Sequence, residues 1–159
     1  MAKKMAIPWE LKYKYLQGML TTLFKSVMYE YREKHGAAAA LEFIEGVWKR
    51  EDRVKNMTKT LKDVFKIEGN DIEAIDKWWG IWWELTGMDA TRLEQSKKLM
   101  KFKIPAGCAW LTKPKDISDW PLIFMNLIVK AINPKAILER VKGLCAGDPY
   151  CEYITKIEE

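Results

Sequence analysis

The chain is expected to fold as α+β, with an N-terminal helical half packed on a small antiparallel sheet that ends in a C-terminal hairpin. Three observations lead there. Apolar residues recur at spacings of three and four between residues 16 and 85, the period of a helix facing a core. Over residues 99–104 the period drops to two, as in a half-buried strand. Near the C-terminus, two strand-like segments flank an Asp148-Pro149 turn. Helices first and strands afterwards is the order of an α+β domain rather than of repeated βαβ units. A length of 159 residues is one domain's worth, so residues 1–159 are expected to form a single domain, mainly helical over 1–96.

Pro8 and Trp9 open the first helix, in which Leu16, Met19, Leu20, Leu23, Val27 and Tyr31 make an apolar stripe that ends near Gly36. A second helix is expected over 37–55, burying Ala40, Leu41, Ile44, Val47 and Trp48. A shorter helical piece follows, with Thr58 as N-cap and Leu61, Val64 and Phe65 as its apolar face. Asn70, with Glu73 three residues on, reads as the cap of a helix that runs to Leu85 and is stopped by Gly87. Trp78, Trp79, Trp82 and Trp83 make its last two turns apolar nearly all round, so it should be buried on several sides or border a cavity.

Leu99, Lys101 and Lys103 then alternate with Met100, Phe102 and Ile104, and Pro105 ends this strand. The loop 106–114 carries Cys108 and Trp110, and residues 116–119 supply caps for an apolar helix, Trp120–Ile132. The next segment is ambiguous. Asn133-Pro134 is a good helix start, and Ile137, Val141 and Leu144 are helically spaced. Hairpin register favours strands over 136–144 and 151–157: Cys145 opposite Cys151 pairs Gly143 with Tyr153, Val141 with Thr155 and Glu139 with Ile157. One face then collects both cysteines, Ile137, Val141, Tyr153 and Ile157.

The formal net charge of +5 belongs to the first 66 residues, where fourteen Lys and Arg stand against eight Asp and Glu. These charges recur at helical intervals rather than in clusters, as on a solvated helix face, so no nucleic-acid partner is expected. No apolar signal region follows the opening Met-Ala-Lys-Lys, and no run approaches the roughly 18 apolar residues of a membrane span. A soluble, cytoplasmic protein without a membrane partner is therefore expected. Three cysteines, an odd number, fit reduced thiols rather than a disulfide framework.

Residues 143–153 concentrate the candidate chemistry. Cysteines facing each other across antiparallel strands have Cβ atoms about 4.5–5.5 Å apart, near the range for sharing one metal. With Cys108 and Asp148 added, Cys145 and Cys151 would give a three-sulfur, one-oxygen set of tetrahedral potential, suited to zinc. Metal ligation, thiol catalysis and a structural pair of small buried residues all stay open. Asp148 is either a turn acceptor before proline or a general base beside a thiol. Trp78, Trp79, Trp82, Trp83, Trp110 and Trp120 either fill the core or wall a pocket for a flat, partly apolar ligand. His35, the only histidine, sits where a cation favours the end of the first helix. Glycine-rich phosphate loops, G-x-S-x-G and H-E-x-x-H are absent.

The run Leu138-Glu139-Arg140-Val141-Lys142-Gly143-Leu144-Cys145-Ala146-Gly147-Asp148-Pro149-Tyr150-Cys151-Glu152-Tyr153 resembles the C-terminal strand, Gly-Asp turn and cysteine-led final strand of two related groups. These are the four-vinyl-reductase-like, hydrocarbon-binding domains and the L-2-amino-thiazoline-4-carboxylic acid hydrolase-like proteins. Ile132-Asn133-Pro134 and the Cys108 loop also look like the second group, so the resemblance covers residues 97–157. It implies hydrolysis of a carbon–nitrogen bond in a small heterocyclic or partly apolar substrate, with a cysteine as nucleophile or metal ligand. The alternative it implies is a non-enzymatic sensor for a hydrocarbon or aromatic ligand, and either is expected as a homodimer. Zinc in the first group is held by the two hairpin cysteines, an earlier cysteine and a glutamate three residues before the first of the pair. Lys142 stands at that last position here, and the helix Trp120–Ile132 lacks the second cysteine of the hydrolases.

Overall fold

The computed structural model describes residues 8–105 and 115–158, and the chain forms two compact units, one ending at Ala40 and the other beginning at Leu41. The α+β class stands: helices through Thr86, then a four-stranded antiparallel sheet with one helix inserted.

In the first unit, α1 (Trp9–His35) starts after Pro8 and stops at Gly36, whose φ of 86° only glycine adopts without strain. Arg32, Lys34 and His35 occupy its last turn, where positive charge suits the carbonyl end of the helix, and the His35 ring lies 4.5 Å from that of Tyr31. Of its apolar residues Met28 is buried, whereas Leu16, Met19, Leu20, Leu23 and Val27 are exposed.

The helix expected over 37–55 is instead two, α2 (Ala37–Lys49) and α3 (Glu51–Asp63). Arg50 breaks it with an extended backbone (φ −55°, ψ 132°), and Glu51 and Asp52 fill the first turn of α3, where carboxylates complement the exposed N–H groups. Thr58 is consequently inside α3 rather than its cap, and its Oγ donates to the Val54 carbonyl (2.9 Å). Val64 is exposed, off the apolar face assigned to it. For α4 (Ile72–Thr86) the cap is Asp71 rather than Asn70: its Oδ1 accepts the Ala74 N–H at 2.9 Å. Gly87 ends α4 in the left-handed conformation, as expected.

The sheet has the order β1-β2-β4-β3. Strand β1 (Thr91–Gln95) was not anticipated, because every one of its residues is exposed and no apolar alternation marks it. In β2 (Leu99–Ile104) Met100, Phe102 and Ile104 are buried in alternation, as the two-residue period required. Helix α5 (Trp120–Ile132) has its expected bounds. Its Asn126 amide grips Leu138 of β3 (Ala136–Lys142) at both ends, accepting from the Leu138 N–H (2.9 Å) and donating to the Leu138 carbonyl (3.0 Å). This satisfies an edge strand that would otherwise present bare backbone groups.

The hairpin of β3 with β4 (Cys151–Ile157) exists, but its register differs from expectation. Arg140 pairs with Tyr153, Leu138 with Thr155 and Ala136 with Ile157. The expected pairing was Gly143 with Tyr153, a displacement of three residues. An odd displacement turns the opposite face of a strand inward. Accordingly Ala136 and Leu138 are buried, and Val141 is 51% exposed. The cause is the connection. Leu144–Ala146 coil into a single 3-10 turn, Gly147 follows at φ 105°, and the ladder bulges between Arg140 and Lys142. Cys145 therefore lies in the connection rather than in a strand.

The core of the second unit lies between α3, α4 and α5 and the inner face of the sheet. Phe102, fully buried, sits at its centre, with ring distances of 5.0 Å to Trp79, 5.2 Å to Trp83 and 5.3 Å to Tyr153. Aromatic pairs at such separations add to the gain from burial.

Candidate functional site

Among the described residues of the second unit, two concavities each hold some of the sequence-predicted residues. The first holds the cysteines. Cys145, half-buried, and Cys151, buried, line one cleft with Ser118, Met125, Arg140 and Tyr153. Its volume is only about 20 Å³, the room of roughly one water molecule. Several polar groups beside it have structural partners. Asp148 Oδ2 accepts the Gly143 N–H at 2.8 Å, tying the two ends of the connection. Cys151 Sγ accepts the Leu144 N–H at 3.3 Å. Arg140 donates to the carbonyl and the Oγ of Ser118, each at 3.1 Å, and pairs with the Asp119 carboxylate.

Lys142, which replaces the expected glutamate, belongs to a separate cluster. Its Nζ donates to the Tyr150 hydroxyl (2.7 Å) and lies 3.5 Å from Glu152, whose other oxygen is 2.9 Å from Lys101. The Tyr150 hydrogen bond and the Glu152 charge raise the Lys142 pKa. The hydrogen bond from Lys101, aided by Lys142, holds the Glu152 carboxyl below the usual glutamate range. Among the described residues no three His, Cys, Asp or Glu side chains converge as metal ligands. Cys108 and Trp110 lie outside the described residues. At the position where the first of the resembled groups carries a glutamate ligand, Lys142 is engaged with Tyr150 and Glu152.

The second concavity is larger, about 210 Å³, and almost wholly apolar. It is bounded by Trp48 of α2, Met57 and Leu61 of α3, Phe65 beyond its end, Trp78 of α4, and Phe124, Leu127 and Ile128 of α5. Its aromatic rings form a chain. Trp48 lies 4.5 Å from Phe124, Phe124 lies 5.4 Å from Trp82, Trp82 lies 5.7 Å from Trp78, and Trp78 lies 5.9 Å from Phe65. Of the tryptophans proposed as pocket walls, Trp78 lines this cavity and Trp82 backs it. Trp79 and Trp83 face the sheet instead, against Phe102, and Trp120 is buried at the start of α5. Trp48, Phe124 and Arg53 were missed as lining residues. The signal for Trp48 and Phe124 was only that each belongs to an apolar helix face.

No family model and no curated protein sequence matches the chain. Solved structures do. The chain is similar to a trafficking protein particle complex subunit 3 from Naegleria fowleri, covalently bound to palmitic acid. The TM-score is 0.68 at 12% identity, covering 92% of this chain and 97% of that one. It is also similar to the phenol-responsive sensory domain of the transcription activator PoxR, solved with phenol. There the TM-score is 0.60 at 10% identity, covering 89% of this chain and 74% of that one. The likeness is one of fold. No helix among the described residues is long and apolar enough to cross a membrane.

Proposed function

We propose that this chain is a ligand-binding module that takes a small, largely apolar molecule into the cavity ringed by Trp48, Phe65, Trp78 and Phe124. The observation that carries this reading is the contrast between the two concavities: about 210 Å³ at the aromatic cavity against about 20 Å³ at the cysteines. An apolar cavity of about 150 Å³ is enough to hold benzene. Palmitic acid and phenol are the molecules bound in the two similar structures, which supports the same reading. Hydrolysis of a carbon–nitrogen bond, the activity implied by the hydrolase-like resemblance, finds less support. The carboxylate of Asp148 and the sulfur of Cys151 are both engaged by backbone N–H groups, and the cleft beside them has no room for a heterocycle.

Thermal unfolding with phenol, indole and octanoate tests the proposal. A ligand present at 100 times its Kd stabilises the folded state by about 2.7 kcal/mol. For a chain of this size that raises Tm by about 5–10 °C. Leu127→Trp, which places an indole in the cavity, is expected to abolish the rise without unfolding the protein. The reading is lost if no ligand of the panel raises Tm, or if Leu127→Trp responds as fully as the wild type.

A further inference from the structure

We infer that the cavity selects aryl-alkyl carboxylates, with the ring inside and the carboxylate at Arg53; this rests on the ligand-binding reading above. Among the described residues, Arg53 is the single charged side chain in the cavity lining. It is exposed, so its head group stands in water at the rim, and its guanidinium lies 5.9 Å from the centre of the Trp48 ring. That contact, of the kind cations make with aromatic faces, holds the group over the entrance. Its neighbour Arg50 is paired with Asp52 (3.2 Å), whereas Arg53 has no carboxylate partner among the described residues. Arg53 thus offers a guanidinium fork with no carboxylate partner among the described residues, the group that recognises a carboxylate through two parallel hydrogen bonds.

The other polar side chain of the lining does not compete for this role. The Thr60 hydroxyl donates to the Asn56 carbonyl (2.9 Å), so it offers an anion no proton. Size sets the rest of the ligand. A benzene ring occupies a cavity of about 150 Å³, which leaves about 60 Å³ of the 210 Å³, room for a chain of two or so methylenes. Such a ligand keeps its charge in water beside Arg53 and loses only apolar surface, which avoids the cost of burying an ion.

The test compares 3-phenylpropanoate, 3-phenylpropanol and 3-phenylpropylamine by isothermal titration, against wild type and Arg53→Met. Met keeps the apolar stem of the arginine and removes its charge. The wild type is expected to bind the carboxylate about five- to tenfold tighter than the alcohol and to bind the amine weakest, with the carboxylate advantage shrinking as salt rises. In Arg53→Met the carboxylate should lose that advantage, the ratio of acid to alcohol affinity falling to about one. Equal binding of acid and alcohol by the wild type, or the same preference in Arg53→Met, overturns the selectivity and leaves the ligand-binding reading intact. If none of the three binds either protein, both fall.

Discussion

Replacing Trp78 with alanine tests the aromatic cavity and the packing of α4 in one experiment. Trp78 is 4% exposed and touches Phe65 and Trp82, with ring distances of 5.9 and 5.7 Å. Truncation removes the whole indole from a site whose other walls belong to three different helices and cannot easily collapse onto the gap. Large-to-small aromatic changes of this kind cost about 3–5 kcal/mol, which corresponds to a fall in Tm of about 6–20 °C for a chain of this length. Because the new space is continuous with the existing cavity, free indole should enter and recover about 2.7 kcal/mol at 100 times its Kd. Urea unfolding followed by far-ultraviolet circular dichroism, with and without indole, measures both quantities. A cost below about 1 kcal/mol would mean that Trp78 is not held between Phe65 and Trp82. A full cost with no rescue by indole would mean that the cavity does not accept aromatic molecules.

Two further outcomes follow from the structure. Asp71→Ala removes the acceptor for the Ala74 N–H and should cost about 0.5–2 kcal/mol in the same urea measurement, whereas Asn70→Ala should be nearly neutral. Glu152, held ionised by Lys101 and Lys142, contributes stability that is present above the ordinary glutamate pKa and is lost as pH falls through its depressed folded value. Tm measured from pH 7 down to about pH 2 should therefore decline less steeply at the acid end for Glu152→Gln than for wild type, and parallel profiles would contradict the assignment.

Much of the fold can be read from the sequence because single elements carry their own signals. The alternation of Met100, Phe102 and Ile104 names a strand and its buried face at once. Asp119, Pro121 and Asn133 bracket α5 to the residue. What escaped the reading depends on partners or on backbone choices without a strong local mark. Arg50 adopts its extended conformation with neither glycine nor proline beside it, and only the acidic pair Glu51 and Asp52 hints at a new helix. The Asp148-Pro149 turn sets the expected β3–β4 register, but β3 ends at Lys142 and the 3-10 turn at Leu144–Ala146 takes Leu144 out of the strand. Of the candidate site, the tryptophan concentration in α4 was visible, but the division of its indoles between cavity and sheet was not. That division is set by Phe102 on one side and Phe124 on the other, residues far from α4 in sequence. Arg53 could not be singled out among fourteen basic residues in the first 66 until Trp48 was placed beneath it.

The aromatic cavity is tested most directly by soaking crystals of the full chain with para-bromophenol and locating the bromine by its anomalous scattering. A single strong peak enclosed by Trp48, Phe65, Trp78 and Phe124 is expected. A peak beside Cys145 and Cys151, or none inside the second unit, would contradict the ligand-binding reading.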